Sequence, residues 1–148
     1  MIYAYTDSGI KNGLAVATTL FITDSYYLDM ITGEYEHVKS LTEGELLGIW
    51  QAINHAVSKW DVQDLIVYSD AKVLVTQFNR FNSSKMSNMN VKYYDIWKLI
   101  LELIKGRNIT CKYIEAHQNE HNPNKFCDIT SSVLLSLHER DFNEKFQS

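Results

Sequence analysis

Apolar residues in the first third of the chain come in short runs broken by turn signals, and further on they recur at helical spacing. Residues 2–8, I-Y-A-Y-T-D-S, predict a short buried strand that ends on Asp7. Residues 10–13 form a tight connection, with Asn12-Gly13 as a hairpin signal. Residues 14–22, rich in Val, Thr and Phe, predict a second strand. Asp24-Ser25 is a turn, and residues 26–31 predict a third strand. Thr32-Gly33-Glu34 reads as a further turn, with residues 35–39 extended or irregular. The opening third is thus an antiparallel meander.

Leu46, Ile49, Trp50, Ile53, Val57 and Trp60 then fall on one helical stripe. With Thr42 as N-cap, Glu45 stands at N3 of a capping box, and Leu41 and Leu46 take the hydrophobic-staple positions. Gly48 and Ala52 keep the face beside Glu45 small, so it can lie close against a sheet. Residues 65–69 predict a buried strand that delivers Asp70, and residues 71–78 a short helix. Residues 79–90 are polar and read as a loop. Residues 93–105 predict a long helix stopped by Gly106. Residues 109–116 predict a fifth strand, 118–123 a polar loop and 124–138 a last helix with Phe126, Ile129, Val133 and Leu137 on its stripe. The charged tail, 139–148, is expected to fray. Three strands, helix, strand, helix, helix, strand, helix predict an α/β fold: a mixed five-stranded sheet, three antiparallel strands then two parallel, flanked by helices.

Composition alters this picture little. A chain of 148 residues suits one domain, here a core over 1–138 and a tail. No apolar run approaches membrane-spanning length, and the first eight residues are too short and polar for a signal peptide. A cytoplasmic, membrane-free monomer is the expectation. Cys111 and Cys127 lack metal-ligand spacing and read as reduced core thiols. The formal net charge of −4 argues against non-specific nucleic-acid binding by bulk electrostatics. It leaves room for a nucleic-acid enzyme whose acids are compensated by bound cations.

Candidate chemistry starts from Asp7 and Asp70, each at the end of an apolar run. Side by side, the two strands would bring both acids to the carboxyl ends, where open α/β sheets bind ligands. Two carboxylates repel, and Mg²⁺ is the usual cation for an all-oxygen site. Each acid also has a plainer role: Asp7 in a turn, Asp70 as a helix cap, Glu45 in the capping box, Asp128 on a solvated helix face. Four acids on four elements meeting at one sheet edge is not what such plain roles produce. Two Mg²⁺ ions about 4 Å apart stabilise both the attacking water and the leaving oxygen of a phosphodiester.

Asp7 in T-D-S-G, Glu45 in E-L-L-G-I-W-Q-A-I, Asp70 in Y-S-D and the run from His117 to Asp128, H-Q-N-E-H-N-P-N-K-F-C-D, together resemble ribonuclease H of type I. The resemblance extends from residue 2 to about residue 136. It implies the ribonuclease H-like fold and a metal-dependent endoribonuclease acting on the RNA strand of RNA–DNA hybrids, with 5′-phosphate and 3′-hydroxyl products. It implies Asp7, Glu45, Asp70 and Asp128 as ligands of two Mg²⁺ ions, with Mn²⁺ as a substitute. Glu43 is the rival of Glu45, but the apolar run fits Glu45 better. His117 would match the family's loop histidine, which assists proton transfer or product release, with His121 as its rival. Asn124 would order the last helix. Contacts to the RNA strand, read through its 2′-OH groups, would come from Gly9, Asn12, Gly13, Thr42 and Gln77.

Three departures stand out. The loop after Asp7 is short. The acid of the family's Asn-Glu-x-x-Asp run is Lys125. Residues 79–92 carry Arg80, Lys85 and Lys92 but no dense basic helix, so the substrate-binding handle looks reduced, and weak hybrid binding with steep salt sensitivity is the expectation. Two other functions remain open: another nuclease on the same fold, and a non-catalytic nucleic-acid or protein-binding module.

Overall fold

Asn12 and Gly13 take φ values of 52° and 78°, the left-handed pair that a two-residue hairpin demands, and the chain reverses there. This turn joins β1 (Ile2–Lys11) to β2 (Leu14–Thr23), antiparallel from Ile2↔Thr23 to Lys11↔Leu14. β3 (Tyr27–Tyr35) pairs antiparallel with β2, with a register shift at Phe21/Ile22. β4 (Asp64–Ser69) lies parallel to β1, and β5 (Asn108–Tyr113) parallel to β4. The sheet order is β3-β2-β1-β4-β5, the mixed five-stranded sheet that the sequence predicts. The computed structural model describes residues 1–83 and 91–115. The predicted loop at 118–123, last helix and tail lie outside the described residues.

Three helices cover one face. α1 (Leu41–Trp60) crosses β1 and β2, α3 (Tyr94–Ile104) packs on α1, and α2 (Lys72–Ser83) packs on β5. Between them and the sheet lie the fully buried Trp97, Phe78, Phe21, Leu46, Ile49 and Ile53. At the far end of α1, Asp29 of β3 accepts hydrogen bonds from His55 at 2.9 Å and Lys59 at 2.8 Å. The Lys59 ammonium and then the His55 ring hold its carboxyl below the usual range.

The structure corrects the sequence reading in several places. Thr32-Gly33-Glu34 does not turn; β3 runs through it. Gly33 is needed there for close approach, because a Cβ would strike Gln51 Oε1 and come within 2.7 Å of the Tyr35 hydroxyl. Gln51 itself donates to Ala17 O and Thr19 Oγ1 and accepts from Tyr35 at 2.6 Å. α2 extends to Ser83, so residues 79–83 are helix rather than the predicted loop; Phe78 and Phe81 pack on Trp97 and hold the extra turn, and the rest of that predicted loop, 84–90, lies outside the described residues. The N-cap of α1 is Ser40, not Thr42. Ser40 Oγ accepts from Glu43 N at 3.1 Å, and the Glu43 carboxylate accepts from Lys39 N. Glu43 stands at the third helical position. Two overlapping capping frames, Ser40 with Glu43 and Thr42 with Glu45, share one spacing, and the chain folds into the earlier.

Candidate active site

β1 does not end at Asp7. It continues to Lys11 as one arm of the hairpin. What ends near Asp7 is the pairing with β4, whose last register pair is Tyr5↔Tyr68. Asp7 and Asp70 each stand two residues beyond that pair. Both therefore sit where the parallel strands part, at the carboxyl ends of β1/β4 pairing. The Tyr5 and Tyr68 rings stack directly before this point, with centroids 4.7 Å apart. Asp7 is buried and held in register opposite Thr18. Asp70 follows β4, at the turn where the Ala71 N–H donates to Ser69 Oγ.

Glu45 lies in the second turn of α1, half-buried. Burial first, and the Asp70 charge second, push its carboxyl up to about 7. That second cause places the two carboxylates within electrostatic reach of each other. With Glu43 engaged at the cap, Glu45 is the residue of the two that faces the site. α1 comes this close because its sheet-facing positions are glycines. A Cβ at Gly48 would lie 2.8 Å from Ser8 Oγ and 2.9 Å from Thr6 Oγ1. Ser8 Oγ donates to Gly44 O at 2.8 Å in a buried hydrogen bond.

Asp7 and Asp70 thus stand where β1 and β4 part, and Glu45 of α1 lies within reach of the Asp70 charge. Among the described residues, no group of three or more His, Cys, Asp and Glu forms a metal cage by itself. Asp128, His117 (with its rival His121) and Asn124 lie outside the described residues. Asn12 and Gly13 form the hairpin tip, and Gly13 O accepts from Val38 N at 2.9 Å, which ties that tip to the approach to α1. Thr42 is exposed in the first turn of α1, near that tie. Gly9 lies in β1 opposite Val16. Gln77 lies on α2, on the β5 side, apart from this group.

Sequence reasoning missed Ser8, Ser40 and Tyr93. Tyr93 takes φ 61°, and its hydroxyl lies 2.6 Å from Ser40 Oγ, so the residue before α3 is tied to the cap of α1. Neither tie has a sequence signature, since each joins residues far apart in the chain.

The RNase H family model matches residues 1–133. The chain is 35% identical to ribonuclease HI of Helicobacter pylori over 66 residues, 43% of this chain and 46% of that protein, so it spans about half the length of that curated relative. The N-terminal RNase H domain of a Mycobacterium tuberculosis protein, solved as a fusion with maltose binding protein, superposes with a TM-score of 0.70 at 15% identity, over 93% of this chain and 97% of that one. LC11-RNase H1, isolated from compost and crystallised with an RNA/DNA hybrid, superposes with a TM-score of 0.66 at 15% identity, over 88% of this chain and 99% of that one. At such identity the two structures show the shared fold, and the match over residues 1–133 shows that this chain belongs to the RNase H family.

Proposed function

We propose that this chain is a metal-dependent endoribonuclease that hydrolyses the RNA strand of RNA–DNA hybrids and leaves 5′-phosphate and 3′-hydroxyl ends. One observation carries the reading: in an RNase H family chain, Asp7 and Asp70 stand two residues beyond the last β1/β4 register pair, and Glu45 lies within reach of the Asp70 charge. The donor set fits Mg²⁺ or Mn²⁺, because it is all hard oxygen. The mutual charge of Glu45 and Asp70, which raises the Glu45 carboxyl, is what a shared cation would relieve. Asp7, Glu45 and Asp70 would hold the ions, with Asp128 as the fourth ligand.

When bound, two such ions neutralise charge on the attacking water and on the leaving oxygen. The chain's own residues do the rest. Asp7 is held rigid by strand pairing on its β2 side. Glu45 must release its proton before it can act as a ligand. Backbone groups at Gly9, Asn12 and Gly13, with Thr42, would lie along the RNA strand, whose 2′-OH distinguishes it from DNA. His117 would assist proton transfer or product release, and Asn124 would order the last helix. The hybrid-bound LC11-RNase H1 shares the fold and supports this substrate class. We read the setting as cytoplasmic and the protein as a monomer. Cys111, a buried free thiol pushed up to about 12 by burial, is inert and suits a reducing compartment.

The test is cleavage of a labelled RNA–DNA hybrid in Mg²⁺ and in Mn²⁺, with Asp70→Asn as control and duplex RNA and duplex DNA as competitors. Hybrid-only cleavage that falls by about a hundredfold or more in Asp70→Asn is expected, since ligand loss removes several kcal/mol of charge stabilisation. Cleavage of the competitors would point to another nuclease on this fold. The rival is a non-catalytic hybrid-binding module on the same fold. Metal-independent hybrid binding without cleavage would select it.

A further inference from the structure

Ser8 and Gly44 are the immediate neighbours of two of the acids. Ser8 follows Asp7 on β1, and Gly44 precedes Glu45 on α1. Their hydrogen bond, Ser8 Oγ to Gly44 O at 2.8 Å, is buried and joins positions 36 residues apart. It spans the gap between the strand that carries Asp7 and the helix that carries Glu45. Two glycines make the approach possible: a Cβ at Gly44 would meet Ala15 Cβ at 3.2 Å, and one at Gly48 would meet Ser8 Oγ at 2.8 Å. The Ser8 hydroxyl is itself buried, so its donor has to be satisfied within the protein.

We propose that Ser8 is a positioning residue: its hydrogen bond to the Gly44 carbonyl clamps α1 to β1 and fixes the spacing of Asp7 and Glu45 for a shared divalent cation. The proposal rests on the function read above and deepens it. Carboxylates brought to one cation repel when both are ionised, and dispersion alone resists weakly at a glycine face. A buried hydrogen bond supplies direction as well as attraction and is strengthened by its low-dielectric surroundings. Groups that orient metal ligands without touching the metal typically alter affinity by about 10- to 100-fold.

The experiment titrates Mn²⁺ into the intact, metal-stripped protein by calorimetry, for wild type, Ser8→Ala, Ser8→Thr and Glu45→Gln, and measures hybrid cleavage alongside. Ser8→Ala is expected to weaken Mn²⁺ binding by about tenfold. It should lower kcat at fixed Mn²⁺ while KM for the hybrid stays the same, because the substrate face is untouched. Ser8→Thr keeps the donor but adds a methyl to a tight contact, so it is expected to retain more Mn²⁺ affinity and kcat than Ser8→Ala without reaching wild type. If Ser8→Ala does not fold, Ser8→Cys keeps the volume with a weaker donor and takes its place. Mn²⁺ affinity and kcat in Ser8→Ala within twofold of wild type, with Glu45→Gln defective, would overturn the clamp and leave the proposed function standing. A wild-type protein that neither binds Mn²⁺ nor cuts hybrid would overturn both.

Discussion

Glu45 is placed at odds with its own charge. Its carboxyl lies at about 7, against an ordinary value of 4.5, because burial and then the Asp70 charge disfavour ionisation. The consequence for stability has a definite sign. Below the ordinary value the group is protonated in the folded and the unfolded chain alike. As pH rises toward 7 the unfolded chain releases its proton and the folded chain keeps it, so folding stability falls across that window and levels off above it. The metal-free protein is therefore expected to lose denaturant resistance between about pH 5 and about pH 8. Added Mg²⁺ is expected to restore it at the alkaline end, where Glu45 is ionised and able to bind. Glu45→Gln should flatten the profile and abolish the Mg²⁺ effect. Urea titrations over that range, with and without Mg²⁺, check this; a flat wild-type profile would mean that Glu45 is neither desolvated nor within reach of the Asp70 charge.

At the scale of elements, two glycines do different work. Gly106 closes α3 with φ 75° and open space around it, so a side chain there meets only backbone strain. Gly33 lies in regular strand, and a side chain there would collide with Gln51 and Tyr35. Gly106→Ala is expected to cost about 1 kcal/mol. Gly33→Ala is expected to cost roughly 2–3 kcal/mol, since it overpacks the helix–sheet contact and breaks the Tyr35–Gln51 hydrogen bond. Urea unfolding of both variants tests the order, and a cheaper Gly33→Ala would show that Gln51 can swing aside. The same contrast explains what the sequence could reveal. Hydrophobic period and turn chemistry are local, so the hairpin, α1, β4, α3 and β5 were legible. A glycine in T-G-E looks alike whether it turns the chain or makes room for a side chain 18 residues on. Two capping frames two residues apart are also locally equivalent. The Ser8–Gly44 bond, the Ser40–Tyr93 tie and the end of β1/β4 pairing at Tyr5 and Tyr68 are tertiary, and no window of sequence contains them.

For the whole molecule, the decisive quantity is how few cations, among the described residues, lie near the proposed substrate edge. The net charge is −4, so long-range electrostatics do not favour a polyanion. Around the start of α1 the structure gathers Lys11 beside the hairpin tip, Lys39 before the cap, and Lys92, whose ammonium lies 5.4 Å from the centre of the Tyr93 ring. Counterion release ties the slope of log K against log salt to the number of phosphates neutralised, about 0.9 per contact on a B-form duplex. Three lysines then give a slope of about −3, which means weak hybrid binding with a shallow salt dependence. The steep dependence expected from the sequence needs many phosphate contacts, whereas a reduced handle supplies few. Hybrid binding by an Asp70→Asn protein in Ca²⁺, followed by anisotropy across a salt series, measures the slope. Lys92→Ala should weaken binding about equally for all hybrid sequences and make the slope shallower by about 1. A wild-type slope steeper than about −5 would require more phosphate contacts than these three lysines provide, and the substrate would then have to cross a different basic surface.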